Sequence, residues 1–480
     1  MNAHAALPVQ HWTHANGARV YLVESPAIPM VDVRVDLDAG ARRDPAGKSG
    51  LASATASLMT QGVAASNAPG GGPAMDDNAL GEAWADLGAS FGASASADRM
   101  GFSLRSLTYP DLLPKAVALA ARVIAEPSFP EDVWQRNRER SIAAIKEGKT
   151  RPATVAGRAF ASAVYGTHPY GNEVTEESLQ RITPADMKAL HASAVAPCRA
   201  VVSVVGAVTR AQADAMVGQL FERVKPLQSM SAQNPSRGAD CSPWVPVAEV
   251  APLAAAREEK IPFDSAQAHV LIGQPGYKRD DPDFFALTVG NYILGGGGFV
   301  SRLTSEVREK RGLSYSVYSY FSPALHAGAF TLGLQTRPDQ ASQAIAVSRE
   351  VLARFVAEGP TEAELDAAKG NLIGGFALLI DTNGKLLDNI ANIGWNKLPL
   401  DYLDTWTQQI GKVTTADIKA AFARKLQPER MVTVVVGGAQ CLGLSASSAA
   451  RGNARRSRWP INPACGRRRT GCARRCRSEE

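Results

Sequence analysis

The stretch with the most chemical potential is ILGGGGFVSRLTSEVREKRGLSYSVYSYF, which starts at residue 293. It opens with four glycines, Gly295, Gly296, Gly297 and Gly298. Such a run lets the backbone approach another chain or a ligand closely. Arg302, Arg308 and Tyr315 follow, and a guanidinium beside a phenolic O–H can bind peptide carbonyls and stabilise a developing oxyanion. The alternative is a plain glycine loop followed by a solvated helix face.

The seven histidines are scattered along the chain. No two of them lie four apart on a helix, the spacing that places both imidazoles on one face around a zinc ion. His11 and His14 are three apart beside a predicted strand, where alternating faces would separate them. The chain also has no Gly-x-Ser-x-Gly elbow and no recognisable nucleophile–base pair. The spacing therefore argues against a self-contained zinc site.

The elements that must position these residues repeat along the chain. ITPADMKALHASAVAPCRAVVSVVGAV begins at residue 182, and VTTADIKAAFARKLQPERMVTVVVGGA aligns with it without a gap from residue 413. Thr183 with Asp186, and Thr414 with Asp417, have the spacing at which two side chains satisfy free N–H groups in the first turn of a helix. Each helix is followed by a β-branched run that ends at a glycine. The simplest explanation is a duplicated domain.

Other segments fit the same plan. MVDVRVDLDAG, from Met30, alternates apolar and polar residues and predicts a half-buried strand. Residues 316–321 and 328–336 predict a hairpin, and long helices are expected over 340–357 and 362–379. GKSGLASATASLMTQG, residues 47–62, predicts a turn and then a helix with two serines four positions apart. Strands and helices that mix without regular βαβ alternation indicate α+β domains.

The net charge of +6 comes from the last forty residues. Residues 441–480 contain ten arginines, no lysine and two acids, a charge of +8 that leaves −2 on residues 1–440. This tail also holds four of the six cysteines, at spacings that do not suit a zinc knuckle. We interpret it as a disordered or frameshifted extension. The alternative, a basic arm that binds nucleic acid, predicts strongly salt-dependent DNA binding that is lost with the tail.

The remaining cysteines and the start of the chain bear on location. Cys198 and Cys241 form no motif, and nothing in their spacing points to a disulfide framework. Ala3-His4-Ala5 has the form of a signal-peptide cleavage site, although the charged and apolar regions of a signal peptide do not precede it. We expect a periplasmic protein if a signal peptide lies upstream of this reading, and a cytoplasmic one otherwise.

These features together resemble the insulinase/pitrilysin family of metallopeptidases, the inverted zincins, which includes the mitochondrial processing peptidase. The resemblance covers roughly residues 8–440. It is carried by DAGARRDPAGKSGLA, by HPYG at His168 and by LGGGGFVSRLTSEVREKRGLSYSVYS. Family members carry an Arg and a Tyr seven residues apart in the last motif, as Arg308 and Tyr315 are here. The resemblance implies that these two bind substrate carbonyls and stabilise the tetrahedral intermediate, and that the four glycines and Phe299 bind substrate.

The chain departs from the family at the metal site. Family enzymes carry His-x-x-Glu-His directly after the GKSGLA-like turn, but here those positions hold Ser53, Ala56 and Ser57. Around the expected third ligand the chain has Gln135, Arg136 and Asn137, none of them acidic. Serine hydroxyls bind zinc very weakly. We therefore expect no metal in this chain and no catalysis by it alone.

The resemblance implies a two-chain clamshell in which one subunit holds zinc and the other supplies the Arg/Tyr pair. We predict that this chain is the zinc-less subunit of a heterodimeric metalloendopeptidase, with zinc in the partner and a peptide as substrate. A structural or peptide-binding protein without a role in proteolysis is the alternative. The predicted organisation is an N-terminal peptidase-like domain (8–224), a Pro- and Ser-rich linker (225–257), a C-terminal peptidase-like domain (258–440) and the tail (441–480).

Overall fold

A computed structural model describes residues 8–68, 70–224, 241 and 244–438 of the chain. The predicted tail and most of the predicted linker lie outside these residues. The elements of the first half are β1 (Gln10–Thr13), β2 (Arg19–Glu24), β3 (Met30–Leu37), α1 (Leu51–Met59), β4 (Gly62–Val63), β5 (Met75–Asp76), α2 (Asp77–Asp86), β6 (Ser90–Ala95), β7 (Met100–Leu107), α3 (Leu113–Ala125), α4 (Glu131–Gly148), α5 (Pro152–Tyr165), α6 (Glu176–Arg181), α7 (Pro184–Ala194), β8 (Ala200–Gly206) and α8 (Arg210–Phe221).

The second half repeats this order. Its elements are β9 (Arg257–Ile261), β10 (Ala268–Pro275), α9 (Phe284–Asn291), β11 (Ser316–Phe321), β12 (Ala329–Thr336), α10 (Ala341–Glu358), α11 (Glu362–Gly375), α12 (Asn383–Asn396), α13 (Tyr402–Lys412), α14 (Thr415–Lys425) and β13 (Val432–Val436). Between α9 and β11 the chain forms a π-helical turn, Tyr292–Gly296, and a second one, Thr304–Glu309.

Each half contributes one main sheet, and the two sheets have the same topology. Within the described residues the strand orders are β1-β2-β8-β3-β7-β6 and β9-β13-β10-β12-β11. In both sheets one parallel pair, β2 with β8 or β9 with β13, joins an otherwise antiparallel arrangement. The equivalence of five strands confirms the α+β class and the duplication predicted from the repeat.

The repeated helix starts form as the sequence predicts. The backbone N–H of Asp186 donates to the Thr183 hydroxyl (3.3 Å), and the Thr183 N–H donates to the Asp186 carboxylate (3.0 Å). Thr414 and Asp417 make the same reciprocal pair at 3.1 and 2.9 Å. Such capping boxes satisfy two N–H groups that the helix itself leaves unpaired. They fix the starts of α7 and α14, which lead into β8 and β13.

The two halves exchange helices across their sheets. α5, from the first half, packs its Phe160 and Val164 against β13 and Ala329 of the second sheet, and α12, from the second half, lies over β2, β3 and β8. The prediction of a half-buried β3 is therefore wrong, because α12 covers the face that bears the polar residues. On that face Asp32 accepts a hydrogen bond from Arg105 Nε at 2.6 Å. Burial raises the pKa of Asp36, against the opposing effect of Arg34 and Arg99.

The chain also carries a disulfide that its cysteine spacing does not reveal. Cys198 is bonded to Cys241, with their Cα atoms 6.2 Å apart, within the range that disulfides span. Close by, the guanidinium carbon of Arg199 lies 4.3 Å from the ring centre of Trp244. The segment after the first half is thus fastened to that half by a covalent bond and a cation–π contact.

Candidate functional site

A cavity of about 660 Å³ opens between the glycine-rich turn, the π-helical turn Thr304–Glu309 and β11. It contains most of the residues that the sequence singles out. Its lining residues are Asn291, Gly295, Gly296, Gly298, Phe299, Thr304, Arg308 and residues 315–320. Of these described lining residues, none is acidic and Arg308 alone carries a charge.

Arg308 lies between two aromatic rings in this cavity. Its guanidinium carbon is 4.9 Å from the ring centre of Phe299 and 5.1 Å from that of Tyr315. Among the described residues, no carboxylate or carbonyl accepts a hydrogen bond from this guanidinium. The two rings hold the charged group through cation–π contacts and leave its N–H donors available. Arg308 is therefore positioned to bind a carbonyl or an anion.

The two rings themselves face solvent. Tyr315 is 77% exposed and Phe299 is 68% exposed, unusually high values for large apolar side chains. Tyr315 immediately precedes β11, so its phenolic O–H lies at the mouth of the cavity, next to the guanidinium. The predicted pairing of Arg308 with Tyr315 thus forms in space as well as in sequence. Their roles in substrate binding and catalysis stay predictions.

Arg302 does not join this pair. Its Nε and Nη2 atoms donate to the two carboxylate oxygens of Glu364, both at 2.6 Å, and Nη2 also donates to the Gly359 carbonyl at 3.1 Å. Burial raises the pKa of Glu364, but the hydrogen bonds from Arg302 and from Thr361 outweigh it and bring this pKa down to about 2. Arg302 therefore fastens the segment before Arg308 to the first turn of α11.

The four glycines divide into a packed part and an open part. Gly295 is buried, and a Cβ atom there would lie 2.5 Å from the backbone nitrogen and the hydroxyl of Ser319 on β11. Asn291 strengthens this contact, because it donates to the Ser319 carbonyl (3.1 Å) and accepts from the Ser319 hydroxyl (2.8 Å). Gly296 and Gly298 are exposed and Gly297 is half-buried. The first glycine thus serves the fold, and the others shape the rim of the cavity.

The helix α1 carries the positions expected to hold zinc ligands. Ser53 and Ser57 lie one turn apart on its exposed face, and Ala56 is buried. The carboxylate of Asp44 caps the start of α1 by accepting hydrogen bonds from the N–H groups of Gly50 (2.7 Å) and Ala52 (2.9 Å). Burial raises the pKa of Asp44 to about 6, although these N–H groups lower it. The helix therefore keeps its buried face and its start without any strong metal ligand.

The helix α4, which contacts α1, supplies no acid at the expected third position. Gln135 and Arg136 are exposed, and each bonds to an acid one turn earlier on α4, Glu131 and Asp132 respectively. Asn137 accepts a hydrogen bond from Arg140 at 2.5 Å. The side chains present do not fit a zinc ion.

Comparisons with known proteins agree with this geometry. Residues 19–178 match the model of the insulinase family, peptidase family M16, and residues 181–372 match the model of the peptidase M16 inactive domain. The solved structure of a peptidase M16 inactive domain from Pseudomonas fluorescens is 35% identical, with a TM-score of 0.81 over 90% of this chain and 100% of that one. The chain belongs to the M16 family. The resemblance found in the sequence is confirmed.

Relatives of this M16 chain carry two kinds of name. An uncharacterized zinc protease of Streptomyces coelicolor is 29% identical over 68% of this chain and 69% of its own length. A protein of Helicobacter pylori named a non-peptidase homolog, YmxG, is 26% identical over 84% of this chain and 88% of its own length. With Ser53, Ala56 and Ser57 at the motif positions, this M16 chain belongs with the catalytically inactive members.

Two further observations concern the described part of this M16 chain. It contains no group of three or more His, Cys, Asp or Glu side chains that could hold a metal ion. No helix in it has the length and apolar character needed to cross a membrane.

The structure also brings together two histidines that are far apart in sequence. The ring centres of His168, from the HPYG motif, and His326 lie 5.0 Å apart where the two halves meet. His326 Nδ1 is 3.4 Å from the Glu249 carboxylate, and the Tyr170 hydroxyl donates to Asp98 at 2.6 Å. Burial lowers the pKa of His168, and His326 lowers it further. The HPYG motif therefore builds the junction between the halves, and no sequence signal links it to His326.

Proposed function

We propose that this chain is the zinc-less subunit of a heterodimeric M16 peptidase and that Arg308 and Tyr315 act on peptide held in the partner's zinc site. The observation that carries the proposal is the contrast between two sites in one chain. At α1 no strong metal ligand is present, whereas at the cavity a guanidinium without a counter-ion lies beside an exposed phenol. A chain without a catalytic role has no need of the second arrangement.

The chemistry of the pair suits peptide hydrolysis. A zinc ion in the partner would polarise the peptide carbonyl and activate the attacking water. The planar Arg308 fork can hold a substrate carbonyl, and the Tyr315 O–H can donate to the oxygen that becomes negative in the tetrahedral intermediate. Both groups are donors, and both are presented without an acid that would neutralise Arg308.

Reconstitution tests the proposal directly. Neither this chain alone nor a zinc-bearing M16 partner alone should cleave an unstructured peptide at the rate of the mixture. We expect co-expression to give a heterodimer with at least about a hundredfold higher kcat/KM than either chain, because removal of one such donor costs about that factor. The readout is the release of a quenched fluorophore, with size exclusion to show the complex.

A stable heterodimer with no gain in hydrolysis would favour the alternative function. In that case the chain binds peptide or assembles with its partner without contributing to the reaction. The exposed cavity also supports such a binding role, because its open aromatic rings suit an extended peptide in either case.

We also propose that the protein works in the periplasm. The support is the disulfide between Cys198 and Cys241, a bond that persists in oxidising compartments and is rare in a reducing cytosol. Cell fractionation followed by peptide mapping without reductant checks this proposal. We expect the linked Cys198–Cys241 peptide in the periplasmic fraction. Free thiols at both positions in a cytoplasmic protein would contradict it.

A further inference from the structure

The face of β11 next to the Arg308 cavity carries two tyrosines that the proposed mechanism does not use. Strand alternation puts Val317 and Ser319 on the buried side and Tyr318 and Tyr320 on the other. Their rings stack with centres 5.9 Å apart and planes 17° apart. Tyr318 is 38% exposed and Tyr320 is 44% exposed, so both rings offer apolar surface to a ligand. We call these two rings the tyrosine shelf.

The sheet beneath the shelf is shaped to receive it. Tyr318 lies opposite Gly333 of β12, and a Cβ atom on Gly333 would come within 2.4 Å of the Tyr318 ring. The ring therefore lies flat against the glycine backbone. The helix α5 packs against β10 and β13, whereas β11 is the edge strand of the sheet. The shelf is thus held in one orientation and left open.

The shelf continues into the site already described. Tyr318 and Tyr320 line the same cavity as Arg308 and Tyr315. A peptide backbone held by Arg308 would place a neighbouring side chain within reach of the shelf, since successive side chains of an extended chain lie 3.2–3.4 Å apart along its axis.

The charges in the cavity select the kind of side chain. Aromatic faces can attract either a cation or another apolar ring. Arg308 already places a positive charge in the cavity, and no described lining residue is acidic, so a second cation would be repelled. Burial raises the pKa of the Tyr318 hydroxyl, with a further contribution from Tyr320, which keeps the phenol neutral. A neutral aromatic side chain suits these conditions best.

We infer that Tyr318 and Tyr320 form a specificity subsite for an aromatic side chain of the peptide. The inference rests on the proposed function, because it takes Arg308 as the group that holds the peptide backbone. It adds the class of substrate: extended peptides with a Phe or Tyr close to the position held by Arg308.

Peptide binding to the full chain tests the inference without the partner. The probes are short labelled peptides that are identical except for Phe, Lys or Ala at one position, which is scanned along the peptide. We expect at least one position at which Phe binds about three- to tenfold more tightly than Ala, the range of one aromatic pair, and Lys binds no better than Ala. Tyr318→Ser and Tyr320→Ser should each remove most of that preference.

Two further variants separate the shelf from general effects. Gly333→Ala keeps both tyrosines but displaces the Tyr318 ring, so it should also reduce the preference for Phe. Tyr109→Ser changes an exposed tyrosine just before α3, outside the cavity, and should leave the preference intact. Circular dichroism and melting curves confirm that each variant is folded before binding is compared.

The outcomes distinguish this inference from the proposed function. A preference for Lys over Phe, or a Phe preference that survives in all three shelf variants, would overturn the subsite. If the shelf controls binding while reconstitution gives no hydrolysis, the subsite stands and the peptidase proposal fails. If hydrolysis is reconstituted but the shelf variants cleave Phe and Ala peptides in the wild-type ratio, the reverse holds.

Discussion

The Tyr315→Phe variant, reconstituted with a zinc-bearing partner, is expected to lose about a hundredfold in kcat. The phenol would donate a hydrogen bond to the developing oxyanion, and loss of one such donor costs about two to three powers of ten in rate. The phenylalanine ring keeps the cation–π contact with Arg308, whose guanidinium carbon lies 5.1 Å from the ring centre. Peptide binding should therefore change little, so KM should stay within about threefold of the wild-type value.

The design of this measurement separates chemistry from folding. Tyr315 is mostly exposed, so its substitution should alter the free energy of unfolding by no more than about 0.5 kcal/mol. Tyr109→Phe, at another exposed tyrosine, is the matched control and should keep full turnover. Equal kcat for wild type and Tyr315→Phe would show that the phenol takes no part in catalysis. A rise in KM alone would restrict Tyr315 to binding.

The fold was accessible from the sequence where local chemistry decides structure. The Thr–Asp caps at Thr183 and Thr414 satisfy groups within one turn, so their spacing predicts the helices by itself. The hairpin of β11 and β12 follows from residue alternation in the same way. These elements needed no information about distant parts of the chain.

Features that depend on distant partners were not accessible. Alternation in β3 predicts a solvated polar face, but α12 arrives from the other half and covers it. Arg302 and Arg308 look equivalent in sequence, and only Glu364, 62 residues further on, removes Arg302 from the site. Cys198 finds Cys241 across 43 residues by the path of the chain. Periodicity and spacing carry no record of such contacts.

The candidate site shows the same division. Its residue types, Arg308, Tyr315 and the glycines, stood out because four consecutive glycines before a charged segment are unusual. The stacking of Phe299 on Arg308 and the contact of Gly295 with Ser319 depend on how two π-helical turns meet an edge strand. No short-range rule predicts that arrangement.

The second large effect is expected at the start of α1, where Asp44→Asn should remove about 3 kcal/mol of pH dependence from the free energy of unfolding. Burial raises the pKa of Asp44 from 3.8 to about 6, although the N–H groups of Ala52, Gly50 and Leu51 lower it. The folded state thus binds the proton more tightly than the unfolded state does. The stabilisation from this proton is complete below pH 3.8 and is lost as pH rises towards 6, and a shift of this size corresponds to about 3 kcal/mol.

Asparagine cannot titrate, so the variant should lack this loss. The unfolding free energy of Asp44→Asn minus that of wild type should therefore rise by about 3 kcal/mol between pH 3.8 and pH 7, whatever its value at either end. Urea denaturation at a series of pH values measures it, with the exposed Asp111→Asn as the control for loss of one negative charge. A difference that is constant with pH would mean that water reaches the Asp44 carboxylate. The turn before α1 would then be held by its backbone geometry rather than by a buried cap.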